Sequence, residues 1–430
     1  MLPSVTKIVP RSKSLFNLWN NFYSSTTYNT DVVIIGGAVI GSSAAYFLSK
    51  NPNLKVTVIE KDPSYRSCAT TRSAASIRHQ FSTKENIEIS QFGTEFLRNV
   101  KNHLKIENKT EEEEIIDVQF KEHGYLFLAT EKGKKILEEN TKLQQRLGSR
   151  ISLLSKQQLN ERFPWIKNED IEAASFGEEG EGWFDPSLFM NYLRKKSISQ
   201  NTTWIKGNVV GLGLNDSGNA VNEVVYEKIG EEKGVLQKIS CKYVINAAGT
   251  SGRKIASWIG ADIPVFPRKR CIFYFECEDK SIKRCPLVVD PSGLYWRGEK
   301  DDFITGISPT NDPDMALDDF EVDYELFEDI IWPLLANRVP SFEKIRIIHA
   351  WAGHYDFNTF DHNVIVGPHH LVSNFYFANG FSGHGLQQSP AIGRALSELI
   401  IDGKFTSLDL SKFSFSRILE NKPIIELNVV

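Results

Sequence analysis

From Asp31 to Ile35 the chain reads DVVII, an unbroken β-branched run that stops at Gly36. A run of this kind fits a strand buried on both faces. The apolar period then changes. In VIGSSAAYFLSK, Ile40, Ala44, Phe47 and Leu48 recur at helical spacing. A second apolar run, KVTVIE, ends in Glu60, 19 residues after Gly41. Further along, NTTWIKGNVVGLGL predicts a strand carrying Val209 and Val210 beside these two. KYVINAAGTSGRKIASWIG predicts a strand that reaches a small-residue turn at Ala247, Ala248 and Gly249 before a helix. NFYFANGFSGHGLQQSPAIGRALSELII predicts a strand ending at Gly380, a loop with Gly383 and Gly385, and a helix from about Pro390. Between them, GLNDSGNAVNEVVYEKIGEEKGVL reads as a hairpin excursion.

Strand, glycine turn, helix, strand and acid is the order that raises a glycine motif to a dinucleotide site. The turn must be tight, its backbone must approach a pyrophosphate, and the helix must offer free N–H groups at its start. Here the turn is GGAVIG: Gly36 and Gly41 hold their places, and Ala38 replaces the middle glycine. One added methyl suits a slightly wider turn, and Gly37 keeps the loop bare. Glu60 suits a ribose diol and argues against a 2′-phosphate. A structural βαβ unit that binds nothing is the competing reading. The helix from about Pro390 would aim positive partial charge beyond its loop, where a reduced flavin is negative.

Length and charge narrow the class. A chain of 430 residues exceeds one ordinary domain and suggests two. Its net charge of −4 gives no general pull toward nucleic acid or acidic membrane. The five cysteines, Cys68, Cys241, Cys271, Cys277 and Cys285, show no CxxC spacing and read as reduced thiols. No stretch approaches the ~20 apolar residues of a membrane span. Residues 1–30 carry Lys7, Arg11 and Lys13, many Ser and Thr, and no acid. That is the pattern of a mitochondrial transit peptide, removed between about 20 and 30, with an unstructured tail as the other reading. KIENKTEEEEIIDVQ reads as a solvated insertion. His369 and His370 have no acidic partner at metal spacing and read as solvated, so no metal is expected. PRKRC, 267 to 271, would split its cations between two faces of a strand and is too short for nucleic acid.

Taken together, DVVIIGGAVIGSSAAYFL, VINAAGTSG and GFSGHGL resemble the D-amino-acid oxidase and sarcosine oxidase superfamily of FAD enzymes. The resemblance spans roughly residues 31–420. AWAGHYDFNTFDHNVIVGPHH, SIRHQFSTKENIEIS and GLYWRGE sharpen it toward a mitochondrial branch associated with assembly of respiratory complex I. Complex I subunits or assembly intermediates are then the implied partners, and the matrix or the matrix face of the inner membrane the implied location. Members also carry alanine at the place of Ala38, which makes this turn an accepted variant of an FAD site.

The resemblance implies an α/β protein in which a Rossmann-like FAD-binding domain interleaves with a substrate domain built on an antiparallel sheet. FAD would take residues 31–118, 183–259 and 360–430; the substrate domain would take 119–182 and 260–359. The ADP half of FAD falls to Gly36, Gly37, Ala38, Gly41 and Glu60, its adenine side to Val209, and the pyrophosphate also to Ala248 and Gly249. The flavin would lie between TTRSAASIRHQ and the loop of Gly380, Gly383, Gly385 and Leu386. Arg78 aligns with an arginine that grips a substrate carboxylate, a fork that lysine lacks; a structural ion pair is the plainer reading.

Departures from the pattern matter as much. Relatives place a second carboxylate-binding lysine where this chain has Gln387. The cysteine or histidine that links flavin covalently in some members is missing near Gly353 and from TTRSAAS, so FAD is expected to be non-covalent, with His79 as the fallback. The lysine that activates oxygen in the oxidases is replaced in DFITGIS by Ile304 and Thr305, and Lys300 stands too early. A dehydrogenase is therefore expected over an oxidase, moving hydride from a carboxylate-bearing amine to FAD. Tyr295 would face the flavin, or be a half-buried core tyrosine. His384 would bond near the ring, and His354 and Tyr355 would line the site or pack in the core.

Overall fold

The computed structural model describes residues 23–107, 115–230, 235–309 and 312–427. The four glutamates at 111–114 and residues 1–22 of the expected leader lie outside them. Tyr23–Asn29 is an edge strand, parallel to Leu236–Ser240.

The strand Val32–Ile35 (β1), the helix Val39–Leu48 (α1) and the strand Val56–Glu60 (β2) follow one another as the periodicity requires. β1 is aliphatic throughout because it is paired on both edges, with β2 and with Tyr243–Asn246, and buried on both faces. These strands, with Thr203–Leu214 beyond β2 and Phe375–Asn379 beyond Tyr243–Asn246, form a parallel core. The excursion after Thr203–Leu214 is an antiparallel meander through Val221–Lys228 and Leu236–Ser240. Nine strands result in all.

A second sheet of eight strands holds Tyr125–Ala129, Ile151–Ser155, Ala173–Gly177 and the strands between Val265 and Asn358. The chain therefore crosses from the first sheet to the second twice. The expected antiparallel sheet holds with one exception: Leu287–Val289 runs parallel to Tyr125–Ala129, where the two segments of this layer meet. One face of this sheet is sealed by Phe327, Ile331 and Leu335, packed with Phe273, Phe275 and Phe303. On the other face Tyr125, Phe127, Ala129, Leu287 and Val289 pack with Leu137 of the helix Glu131–Arg146.

Two expectations need correction. The C-terminal helix runs Gly385–Ile401 and has Pro390 inside it, so it starts five residues earlier than Pro390 suggested. A proline offers no N–H to the carbonyl four residues back; the Ser389 hydroxyl donates to that Leu386 carbonyl at 2.9 Å instead. The helix crosses α1 closely at Gly393, where any side chain would strike Ser43. His369 is buried, not solvated: its Nδ1 accepts from the Val372 N–H at 3.0 Å, and its ring lies on Phe415. His370 alone is exposed. Among the described residues no three His, Cys, Asp or Glu gather as a metal cluster, no helix is long and apolar enough to cross a membrane, and the five cysteines are free thiols.

Candidate functional site

The C-terminal ends of the parallel strands meet in a cavity of about 370 Å³, within the range of small-molecule and cofactor sites. Gly36, Ala38, Glu60, Val209, Ala248, Gly249, Gly383, Gly385 and Leu386 all line it, as do His354 and Tyr355. Gly37, Gly41 and Gly380 do not; they shape it from behind. Gly36 adopts φ +97°, and α1 approaches so closely that a Cβ on Gly41 would overlap the Gly36 carbonyl oxygen. The Gly37 N–H donates to Glu60 Oε2 at 2.7 Å, and the Asp62 N–H to Oε1 at 2.7 Å. The Glu60 carboxylate is thereby fixed at the cavity edge. The Gly380 N–H donates to Asp356 Oδ2 at 2.8 Å, tying the flavin loop to a buried carboxyl whose pKa burial raises to about 6.

Two helices begin at this cavity without a side-chain cap: α1 after Ala38 and Gly385–Ile401 after His384. Uncapped N–H groups at a buried helix start are costly unless a ligand takes them, and both ends carry positive partial charge. Tyr65 Oη and His354 Nε2, on the same walls, are buried without a partner. The donor set suits a long anionic ligand with a ribose at Glu60 and a pyrophosphate over α1, and so fits FAD.

The four residues expected to act on substrate lie just outside the lining, and three of them touch. Arg78 Nη2 donates to His384 Nε2 at 3.2 Å, which leaves His384 neutral with its proton on Nδ1. Burial and the Arg78 charge push the His384 pKa down to about 3. Gln387 Oε1 accepts the backbone N–H of Arg78 at 2.8 Å. Gln387 thus latches the Arg78 strand. The Arg78 guanidinium lies over Phe81, Phe127 and Tyr125, at 4.7, 5.2 and 5.7 Å from the ring centres. It has no carboxylate partner among the described residues, and its Nε is buried without a bond, so the plainer reading of an ion pair finds no partner there. Tyr295 is in contact with none of these three. It stands near Tyr125 and Tyr355, its pKa raised well above 10 by burial and by those phenols, and its hydroxyl fills the space left by Gly306.

Sequence reasoning missed the residues that hold this site from behind. Arg297 donates to the Ala74 carbonyl at 2.9 Å, next to Ala75, which sits at φ +62°. Arg72 donates to the Ala352 carbonyl at 2.6 Å. These two pin the loop of TTRSAAS to the second sheet. Glu181 is fully buried and accepts from the His79 N–H at 2.6 Å and from Gln80 Nε2 at 2.7 Å, immediately after Arg78. Burial lifts its pKa to about 7. No spacing signals such partners, because they lie about 100 or more positions away. His79 is bonded to the Thr94 hydroxyl at 2.8 Å and does not line the cavity.

This fold and this cofactor cavity define a flavoprotein, and the comparisons agree. Residues 31–399 match the DAO family of FAD-dependent oxidoreductases, and the chain belongs to that family. It is 42% identical to FAD-dependent oxidoreductase domain-containing protein 1 of Xenopus laevis, over 93% of this chain and 85% of that one. The Drosophila melanogaster homolog is 36% identical, over 93% and 81%. Among solved structures, the L-proline dehydrogenase of P. horikoshii superposes with a TM-score of 0.79 at 23% identity, covering 93% of this chain and all of that one (100%).

Purified protein should carry FAD, and acid precipitation should leave the yellow colour in the supernatant; a yellow pellet would mean a covalent flavin. Gly41→Ala overpacks the turn, at about 1–3 kcal/mol, and should weaken FAD binding to the apoprotein about 5- to 150-fold. Unchanged affinity would remove the turn from the site.

Glu181 yields a pH signature. Its carboxyl is raised from 4.5 to about 7 on folding. The folded state then keeps a proton that the unfolded state releases, so stability is full below pH 4.5 and is lost as pH rises toward 7. Urea titrations should show wild type losing about 3 kcal/mol across that window relative to Glu181→Gln. Parallel profiles for the two would show that Glu181 ionises normally.

Proposed function

We propose that this protein is a mitochondrial FAD-dependent oxidoreductase required for assembly of respiratory complex I, acting through complex I subunits or assembly intermediates. The observation that carries this reading is Gln387. Where relatives would hold a second cation for a substrate carboxylate, this side chain is spent on the Arg78 backbone. A site with half of its carboxylate grip suits a flavoprotein retained for more than turnover of a small amino acid. The location reading rests on residues 1–30, basic and acid-free.

A second reading is favoured by Arg78 itself: an amine or N-methyl amino-acid dehydrogenase. An unpaired guanidinium among three aromatic rings is an expensive arrangement to keep without an anion to bind. FAD, when bound, supplies the hydride acceptor. The Arg78 fork would grip the substrate carboxylate, the rings would exclude water, and His384 would stay neutral beneath the fork. An amine that enters uncharged needs no side chain to take its proton. Ile304 and Thr305 are buried on their strand and Lys300 is exposed at its turn, so no lysine reaches the ring from here to stabilise reduced oxygen. This supports a dehydrogenase over an oxidase.

Arg78→Ala separates the two readings. It should keep FAD and lose carboxylate binding about 10- to 100-fold, the worth of a charge-assisted bond. In cells lacking the protein, the flavin-loaded variant should restore complex I. Failure at normal protein and FAD levels would make the dehydrogenase the essential activity, and anaerobic bleaching of wild-type flavin by N-methyl amino acids would then identify its substrate.

A reporter fused to residues 1–30 should enter mitochondria. A cytosolic reporter would overturn the location.

A further inference from the structure

Arg268, Lys269 and Arg270, the three consecutive cations of PRKRC, do not line the cavity described above, although Arg270 lies over the ring of its Tyr355, 5.2 Å from the centre. Alternation on their strand sends them to opposite faces, as expected, yet all three pair with one acidic segment. Arg270 forks onto Asp312 with two bonds of 2.7 Å. Arg268 Nε lies 3.5 Å from the same carboxylate, and its Nη1 contacts Asp314. Lys269 Nζ reaches Asp319 Oδ2 at 2.9 Å. Residues 312–319 therefore grip the strand Val265–Cys277 from both sides. They can do so because Asp302–Ile307 pairs with it only over Phe273–Phe275. The Met315 N–H also bonds the Pro267 carbonyl, at 3.3 Å.

What the segment carries over the cavity gives the arrangement its purpose. Leu317 and Phe320, on the stretch between and just past the pins, line the FAD cavity. Phe320 lies 4.6 Å from the Arg72 guanidinium and 4.6 Å from the His354 ring, so it bridges the TTRSAAS loop and the second sheet. Leu317 remains 45% exposed, which places this stretch at the rim of the cavity. We propose that residues 312–320 are a strap across the cavity mouth that retains FAD, and that Arg268, Lys269 and Arg270 are positioning residues that latch it. The strap is independent of which reaction the flavin serves.

The pins are partly exposed, Lys269 at 19% and Asp319 at 28%, so salt should loosen them. The test follows release of FAD by its fluorescence after dilution of the holoprotein. Wild-type release should speed up as KCl rises from about 0.05 to about 0.5 M. At low salt, Lys269→Glu and Asp319→Lys should each release FAD about three- to fivefold faster. The double variant, Lys269→Glu with Asp319→Lys, should return to the wild-type rate. That rescue separates the latch from screening of the pyrophosphate itself. Phe320→Ala, which leaves every pin in place, should also release FAD faster. Singles that release at the wild-type rate, or a double as fast as the singles, would overturn the strap. If the charge variants do not fold, a wild-type rate that is flat in salt, or an unchanged rate in Phe320→Ala, would do the same.

Discussion

The structure depends on two helix starts left open inside the protein. α1 after Ala38 and Gly385–Ile401 after His384 bring N–H groups without an N-cap side chain, and positive partial charge, to one cavity; among the described residues only the Val39 N–H finds a long bond, to the Thr70 hydroxyl at 3.4 Å. Neither has a side chain at its N-cap that bonds the first turn, so a bound anion suits both ends. Much of the surrounding architecture serves to bring these two ends together. The close crossing of the helices at Gly393 and Ser43 fixes their relative position. The overlap of Gly41 with the Gly36 carbonyl sets how near α1 can come to its turn. The parallel strands are ordered so that both helices point out of the same sheet edge, the place where ligands bind in open α/β sheets.

The second sheet closes this site and gives it chemical character. It supplies Tyr125 and Phe127 around Arg78 and carries the buried Arg297 that holds Ala74. The resulting environment is aromatic and poor in compensating acid. Glu181, the carboxyl behind Arg78, is so desolvated that its pKa rises to about 7. Arg78 has no carboxylate partner among the described residues, while burial and the neighbouring Arg78 charge hold His384 neutral. Phe320 and Leu317 complete the wall from a segment held by side-chain charges, not by a sheet ladder.

Much of the first sheet was legible because each element satisfies its own needs locally. β1 must be aliphatic when it is paired and covered on both sides, and a turn as tight as Gly36 at φ +97° excludes side chains. These demands appear in order along a short stretch, so glycine spacing and apolar period suffice to read a dinucleotide turn through Glu60. The start of the last helix was misread because Pro390 looks like a beginning. Only the Ser389 hydroxyl, bonded to the carbonyl that proline abandons, shows why the helix runs through it.

By itself the sequence determined the alternation of strands and helices and the cofactor turn, since periodicity and local steric limits act over a few residues; the interleaving of two layers came from the family resemblance. Tertiary structure alone decided what Arg78 faces. Its latch comes from Gln387, 309 positions away, and two of its three rings, Tyr125 and Phe127, from one strand of another layer. Tertiary structure also turned PRKRC from a scattered set of charges into one clamp on Asp312 and Asp319. Charge and burial depend on neighbours brought in from anywhere along the chain, and no local pattern records who those neighbours are.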